Sequence, residues 1–137
     1  MSLERFVTAQ DEGGTYDRAL RELRAGRKAS HWMWFVLPQV AGLGRSSTAV
    51  HYALGGVDEA RTYLAHPVLG ARLRECAQAL LDLPGADAPA VLGGTDAQKL
   101  RSSMTLFAAA DPADALFAAV LEKYFGGSRD PATLERL

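Results

Sequence analysis

The stretch Ser30-His31-Trp32-Met33-Trp34-Phe35-Val36-Leu37-Pro38-Gln39 decides how this chain must fold. It holds both tryptophans, and residues 32–37 are apolar without a break. In a water-bathed chain such a run has to be enclosed on nearly all sides by other elements, so it is expected at the centre of the core. Polar residues bracket it, with Lys28, Ser30 and His31 before it and Gln39 after, so its ends can open onto a polar site. Ser30 reads as the N-cap of a short helix through the run. Pro38 ends that helix, because the residue before a proline is driven out of the helical region. A buried strand is the rival reading, and the scarcity of other strand-like segments favours the helix.

Outward from this run the signals are helical. Tyr16, Ala19, Leu20 and Leu23 fall at i, i+3, i+4 and i+7, which predicts an amphipathic helix from Thr15 or Tyr16 to Ala25, closed by Gly26 in the left-handed conformation. The basic residues from Arg18 to Lys28 lie mostly off that apolar face and read as a solvated surface. Phe6 and Val7, ahead of the polar segment Gln10–Gly14, read as isolated anchors for the N-terminal segment. Downstream, a loop through Gly42 and Gly44 leads into a helix containing Ala49 to Leu54, stopped by Gly55-Gly56. A further helix begins near Asp58 and ends at His66. Pro67 suits the first position of the next helix, which runs to about Asp82 with Leu69, Leu73, Cys76, Ala77 and Leu80 on one face. Residues 83–94 are rich in glycine and proline and read as a connection with at most one helical turn. Thr95 or Asp96 then caps a helix to Ala109, and Asp111-Pro112 and Asp130-Pro131 each read as a cap followed by a first helical residue. The fold class expected is all-α: an array of about seven or eight short helices without a significant sheet, residues 1–137 forming one globular domain.

Composition narrows the function. With 137 residues, 48% of them hydrophobic, the chain is long enough to bury roughly two-thirds of its unfolded surface in one core. Fifteen basic against sixteen acidic residues leave a net charge of −1, too little for a nucleic-acid binder, so no nucleic-acid partner is expected. Cys76 is the only cysteine, which excludes an internal disulfide or a multi-thiolate zinc site and leaves it as a small buried apolar residue. His31, His51 and His66 lack metal-ligand spacing, and neither a metal nor a cofactor is expected. No secretory pattern or membrane-length apolar run is present, so a cytoplasmic location without a membrane partner is expected.

Two stretches carry candidate chemistry. Gly42-Leu43-Gly44-Arg45-Ser46-Ser47-Thr48 sets glycines before a helix start, where backbone N–H groups favour an anion, with Arg45 for charge and Ser46 for a hydroxyl. No preceding strand and no phosphate-loop lysine accompany it, and an ordinary capped glycine turn is the competing reading. In Asp96–Phe107 a helix places Lys99 one turn from both Ser102 and Ser103, which allows a lysine-assisted serine in principle. Such mid-helix serines more commonly permit close helix packing. His31 is the histidine best placed to share a site, with Gln39 and Arg45.

With these residues in view, the chain resembles a bacterial family, domain-of-unknown-function family 1810, over nearly its whole length. The resemblance rests on Lys28-x-Ser-His-Trp-Met-Trp-Phe-Val-Leu-Pro-Gln39, Gly42-Leu-Gly-Arg-Ser46, Tyr63-Leu-x-His-Pro-x-Leu-Gly70-x-Arg72-Leu and Asp96-x-x-Lys99-Leu-x-Ser-Ser-Met-Thr-Leu-Phe107. Leu37 stands where relatives often carry phenylalanine, a change that touches packing. The resemblance implies a compact helical domain and no established reaction. Members are often labelled calpastatin-like, but inhibitor segments of that kind are disordered and poor in bulky apolar residues, so calpain inhibition is not expected here. The functional expectation is a pocket beside the tryptophan helix for a small anionic or nucleotide-like ligand, with or without hydrolysis. Its residues are His31, Trp34, Gln39, Gly44, Arg45, Ser46, Lys99, Ser102 and Ser103, provided the glycine loop and the lysine helix meet in space. The alternative is a non-catalytic protein-interaction module in which the same motifs only hold the core.

Overall fold

A computed structural model describes residues 2–137. The described residues form α1 (Glu4–Asp11), a 3-10 turn at Glu12–Gly14, α2 (Thr15–Ala25), α3 (Met33–Val36), α4 (Ser47–His51) and α5 (Val57–Ala65). They continue through α6 (Leu69–Asp82), α7 (Ala88–Leu92), α8 (Gly94–Ala110), α9 (Ala115–Phe125) and α10 (Pro131–Leu134). The chain is all-helical as expected: among the described residues the one extended pairing is the isolated bridge Val40–Leu54, and no sheet forms. No described helix is long and apolar enough to cross a membrane.

The centre of the core is α8. Every residue from Ser102 to Phe107 is buried, so this part of the helix has no solvent face, and α5, α7, α9 and α10 all pack on it. The tryptophan run was expected in that place, and only part of it is enclosed. Trp32, Met33, Val36 and Leu37 are buried, whereas Trp34 and Phe35 keep one side open. A line of aromatic contacts ties the N-terminal helix to the centre: Phe6 meets Tyr63 edge-on at 5.2 Å, Tyr63 meets Phe107 at 5.5 Å, and Phe107 meets Phe117 at 5.8 Å.

Several boundaries differ from the sequence expectation, each for a local reason. The segment around Phe6 and Val7 is a true helix, α1, with Phe6 fully buried. Its periodicity is hidden because the buried position one turn beyond Phe6 is Gln10, not an apolar residue. Gln10 is tolerated there because its amide donates to the Phe35 carbonyl (2.8 Å) and the Tyr63 hydroxyl (3.2 Å) and accepts from Arg72 (3.2 Å). The helix after the glycine loop stops at His51, since the Leu54 N–H donates to the Gln39 carbonyl and leaves the helical register. Before α9, Asp111 opens a turn and Asp114 is the cap, accepting the Leu116 N–H at 3.0 Å. Before α6, the His66 ring accepts from the Val68 and Leu69 N–H groups through Nδ1, serving the helix start. Gly70 is required where α6 meets the end of α5, because a Cβ there would overlap the Leu64 carbonyl. Cys76 is fully buried and free, and burial pushes its thiol up to about 12, so it is inert packing as expected.

Ser30, expected to cap the tryptophan helix, serves Glu22 instead. The Glu22 carboxylate accepts from the Ala29 N–H (2.7 Å), the Ser30 N–H (3.0 Å), the Ser30 hydroxyl (2.6 Å) and the Trp32 indole N–H (2.9 Å). Burial alone would raise this carboxyl, but the donors from Ser30, Ala29 and Trp32 outweigh it and hold it at about 2 against an ordinary 4.5. A depressed folded-state pKa stabilises the fold above the unfolded value, and that stabilisation is lost as pH falls through the folded one. Urea titrations should therefore show a loss of stability between about pH 4.5 and pH 2. Glu22→Gln should flatten that interval and lower stability at neutral pH by about 1–3 kcal/mol; an unchanged acid limb would remove this role for Glu22.

Candidate functional site

The loop after the tryptophan helix is pinned at its base by two backbone bonds, Ala41 N–H to Leu54 carbonyl (2.7 Å) and Leu54 N–H to Gln39 carbonyl (3.0 Å). Between them the chain turns through Gly42, at φ +97°, a left-handed backbone that would strain any other residue, with the Arg136 guanidinium packed against it. Gly44 is equally constrained, since a Cβ there would lie 2.5 Å from the Ala49 Cβ. Ser46 ends the loop as the N-cap of α4, accepting the Ala49 N–H at 3.1 Å. With five residues, α4 is too short for its dipole to hold an anion. Any anion grip here comes from side chains.

This loop and the N-terminal turns of α8 face each other across a cleft of about 610 Å³, lined by Trp34, Gln39, Leu43, Gly44, Arg45, Ser46, Ala49, Thr95, Gln98 and Lys99. Clefts beside Arg61 and Arg74, beside Tyr124, and between Gly55 and Leu137 are smaller. Six of the residues expected at the site therefore come together: Trp34, Gln39, Gly44, Arg45, Ser46 and Lys99. Lys99 holds its ammonium 4.7 Å from the centre of the Trp34 ring and 3.5 Å from Asp96. Asp96 is shared with Lys28 at 3.0 Å, and Lys28 in turn lies 5.1 Å from the Trp32 ring. Arg45 is exposed at the rim and takes part in no hydrogen bond or ion pair among the described residues. No lining residue carries a carboxylate.

The other three expected residues lie elsewhere. His31 is exposed and outside the lining. Ser102 is buried and donates to Asp130 at 2.9 Å, part of a polar stripe on α8 that grips the C-terminal segment. In that stripe Arg101 bonds Ser128 and the Arg129 carbonyl, while the Thr105 hydroxyl accepts the Asp130 N–H at 3.0 Å. Ser103 is fully buried, and its hydroxyl has no partner among the described residues. Both serines fall where α8 enters the core, so the lysine-assisted serine expected as an option has no access to the cleft. Thr95 and Gln98, which do line it, were missed. Thr95 sits four residues before Lys99, so the helical spacing that suggested Ser102 and Ser103 pointed equally to it, and Gln98 follows one turn after Thr95. Only the burial of residues 102–107 shows which end of the helix is open. Among the described residues no group of three or more His, Cys, Asp or Glu side chains could hold a metal.

The family described as a protein of unknown function (DUF1810) matches residues 1–137. The chain belongs to the DUF1810 family. Among solved structures it is similar to the conserved hypothetical protein Rv1873 from Mycobacterium tuberculosis, a crystal structure at 1.38 Å. Identity is 47% with a TM-score of 0.95, over 98% of this chain and 95% of that one. No curated protein matches. The DUF1810 fold is thus common to this chain and a bacterial relative of similar length, and none of the matches assigns a reaction.

The two tryptophans of this DUF1810 chain should separate cleanly on substitution. Trp32→Ala removes a fully buried indole and its bond to Glu22, and should cost about 3–5 kcal/mol in urea denaturation. Trp34→Ala opens a side chain that already faces the cleft and should cost less than half as much. Equal losses would mean that Trp34 is a core residue rather than a wall of the site.

Proposed function

We propose that the cleft between the Gly42–Ser46 loop and the start of α8 binds a small anionic ligand. The observation that carries this reading is the charge pattern of the wall: Arg45 on the loop and Lys99 on α8 line the same cleft beside Trp34, and no acidic side chain lines it with them. Cations in a partly enclosed, carboxylate-free site attract an anion more strongly than the same residues on an open surface, because less water screens them. The indole of Trp34 with Leu43 and Ala49 offers apolar surface to the rest of the ligand, and Gln39, Ser46, Thr95 and Gln98 offer hydrogen bonds. The serines committed to the core contribute nothing here, so binding is proposed without a hydrolytic step.

A thermal-shift screen of the purified protein against nucleotides, sugar phosphates and small carboxylic acids tests it, since a ligand that binds only the folded state raises the melting temperature. Arg45→Ala and Lys99→Ala should each leave the unliganded melting temperature nearly unchanged and weaken the best ligand by about 10- to 100-fold, the worth of one charge-assisted hydrogen bond. Full affinity in both variants would sink the assignment and turn attention to the helical surface as a protein-interaction module.

A further inference from the structure

We infer that the anion taken by this cleft is the dianionic phosphate of a small phosphomonoester, a sugar phosphate or a mononucleotide; the inference rests on the anion-cleft reading above. Charge balance is the first argument. Asp96 lies 3.5 Å from Lys99, and Lys28, at 3.0 Å, already compensates it from the segment between α2 and α3. Lys99 on α8 and Arg45 before α4 are then left with two positive charges at the wall and no counter-charge in the lining. A carboxylate monoanion would leave one of them unmatched, whereas a phosphomonoester dianion answers both.

Donor chemistry is the second argument. The Ser46 hydroxyl accepts the Ala49 N–H, so its own proton remains available to donate outward. The planar guanidinium of Arg45 and the point charge of Lys99 approach from different walls, an arrangement suited to the three terminal oxygens of a tetrahedral phosphate. Trp34 and Leu43 would then meet the sugar or base that the phosphate carries.

Calorimetric titration of the full-length protein at about pH 5 and about pH 7.5 tests the dianion, because a phosphomonoester loses its second proton near pH 6. Affinity for ribose 5-phosphate or AMP should rise about tenfold across that range, and dimethyl phosphate, a monoanion throughout, should bind at least about tenfold more weakly at the higher pH. Sulfate is a dianion at both values and should show no slope. A slope shared by sulfate would come from the protein rather than from the phosphate, and would overturn the inference. So would a flat profile for both phosphomonoesters, or dimethyl phosphate and acetate binding as tightly as they do; in these cases the anion cleft itself still stands. Failure of every anion to bind would overturn the cleft reading as well. Tighter binding of AMP than of ribose 5-phosphate supports a mononucleotide, and the reverse supports a sugar phosphate.

Discussion

The enclosure of α8 is the constraint on which the rest of this structure depends. From Ser102 to Phe107 the helix has no face toward solvent, so every backbone and side-chain group in that stretch must find its environment within the protein. Apolar residues do this by packing, and α5, α7 and α9 supply the surfaces. Of the polar side chains, the Ser103 hydroxyl has no partner among the described residues, and the other two are bonded. Ser102 and Thr105 find theirs in Asp130, whose carboxylate also caps α10 through the Thr133 N–H at 3.1 Å. The C-terminal segment is thereby part of the core's polar accounting, and from that anchor Arg136 reaches across to Gly42. The same helix that organises the core leaves its first turns outside, and there Thr95, Gln98 and Lys99 become one wall of the cleft.

The second wall is set by a charged network rather than by packing. Glu22, on α2, gathers four donors from residues 29–32 and so fixes how the chain enters the tryptophan helix. Lys28 then links that entry to α8 through Asp96, and to α7 through its own N–H, which donates to the Val91 carbonyl at 2.7 Å. Ion pairs on an open surface contribute little, but both partners of the Lys28–Asp96 pair are mostly shielded, at 8% and 19% side-chain exposure, where solvent screening is weaker. Trp32 is locked by this network and Trp34 is left beside Lys99. Two tryptophans one residue apart thus take different roles because their surroundings differ in charge and enclosure.

What was legible in the sequence follows from which residues report on themselves. The amphipathic helices α2 and α6 announced their buried faces through Tyr16, Leu20, Leu23, Leu69, Leu73 and Leu80, and Gly26 and Asp130 announced a helix end and a helix start. Helix α1 was missed because a buried glutamine replaces an apolar residue, and whether Gln10 can be buried depends on Phe35, Tyr63 and Arg72, all distant in the chain. At the site, the aromatic and cationic residues stood out by type. Thr95 and Gln98 did not, because nothing about a threonine or a glutamine at a helix start distinguishes a cleft wall from open surface.

By itself, then, the sequence determined that this protein is helical, where most of its helices start and stop, that a six-residue apolar run needs shelter, and which residue types are available for an anion. These are local properties, set by side-chain period, capping chemistry and backbone restriction at glycine and proline. Only the tertiary structure decided that the Gly42–Ser46 loop and the start of α8 face each other, that Trp34 is open while Trp32 is closed, and that Ser102 and Ser103 belong to the core. Those outcomes depend on which surfaces meet across many intervening residues. That is settled by the packing of whole helices around α8, a property no short stretch of the chain contains.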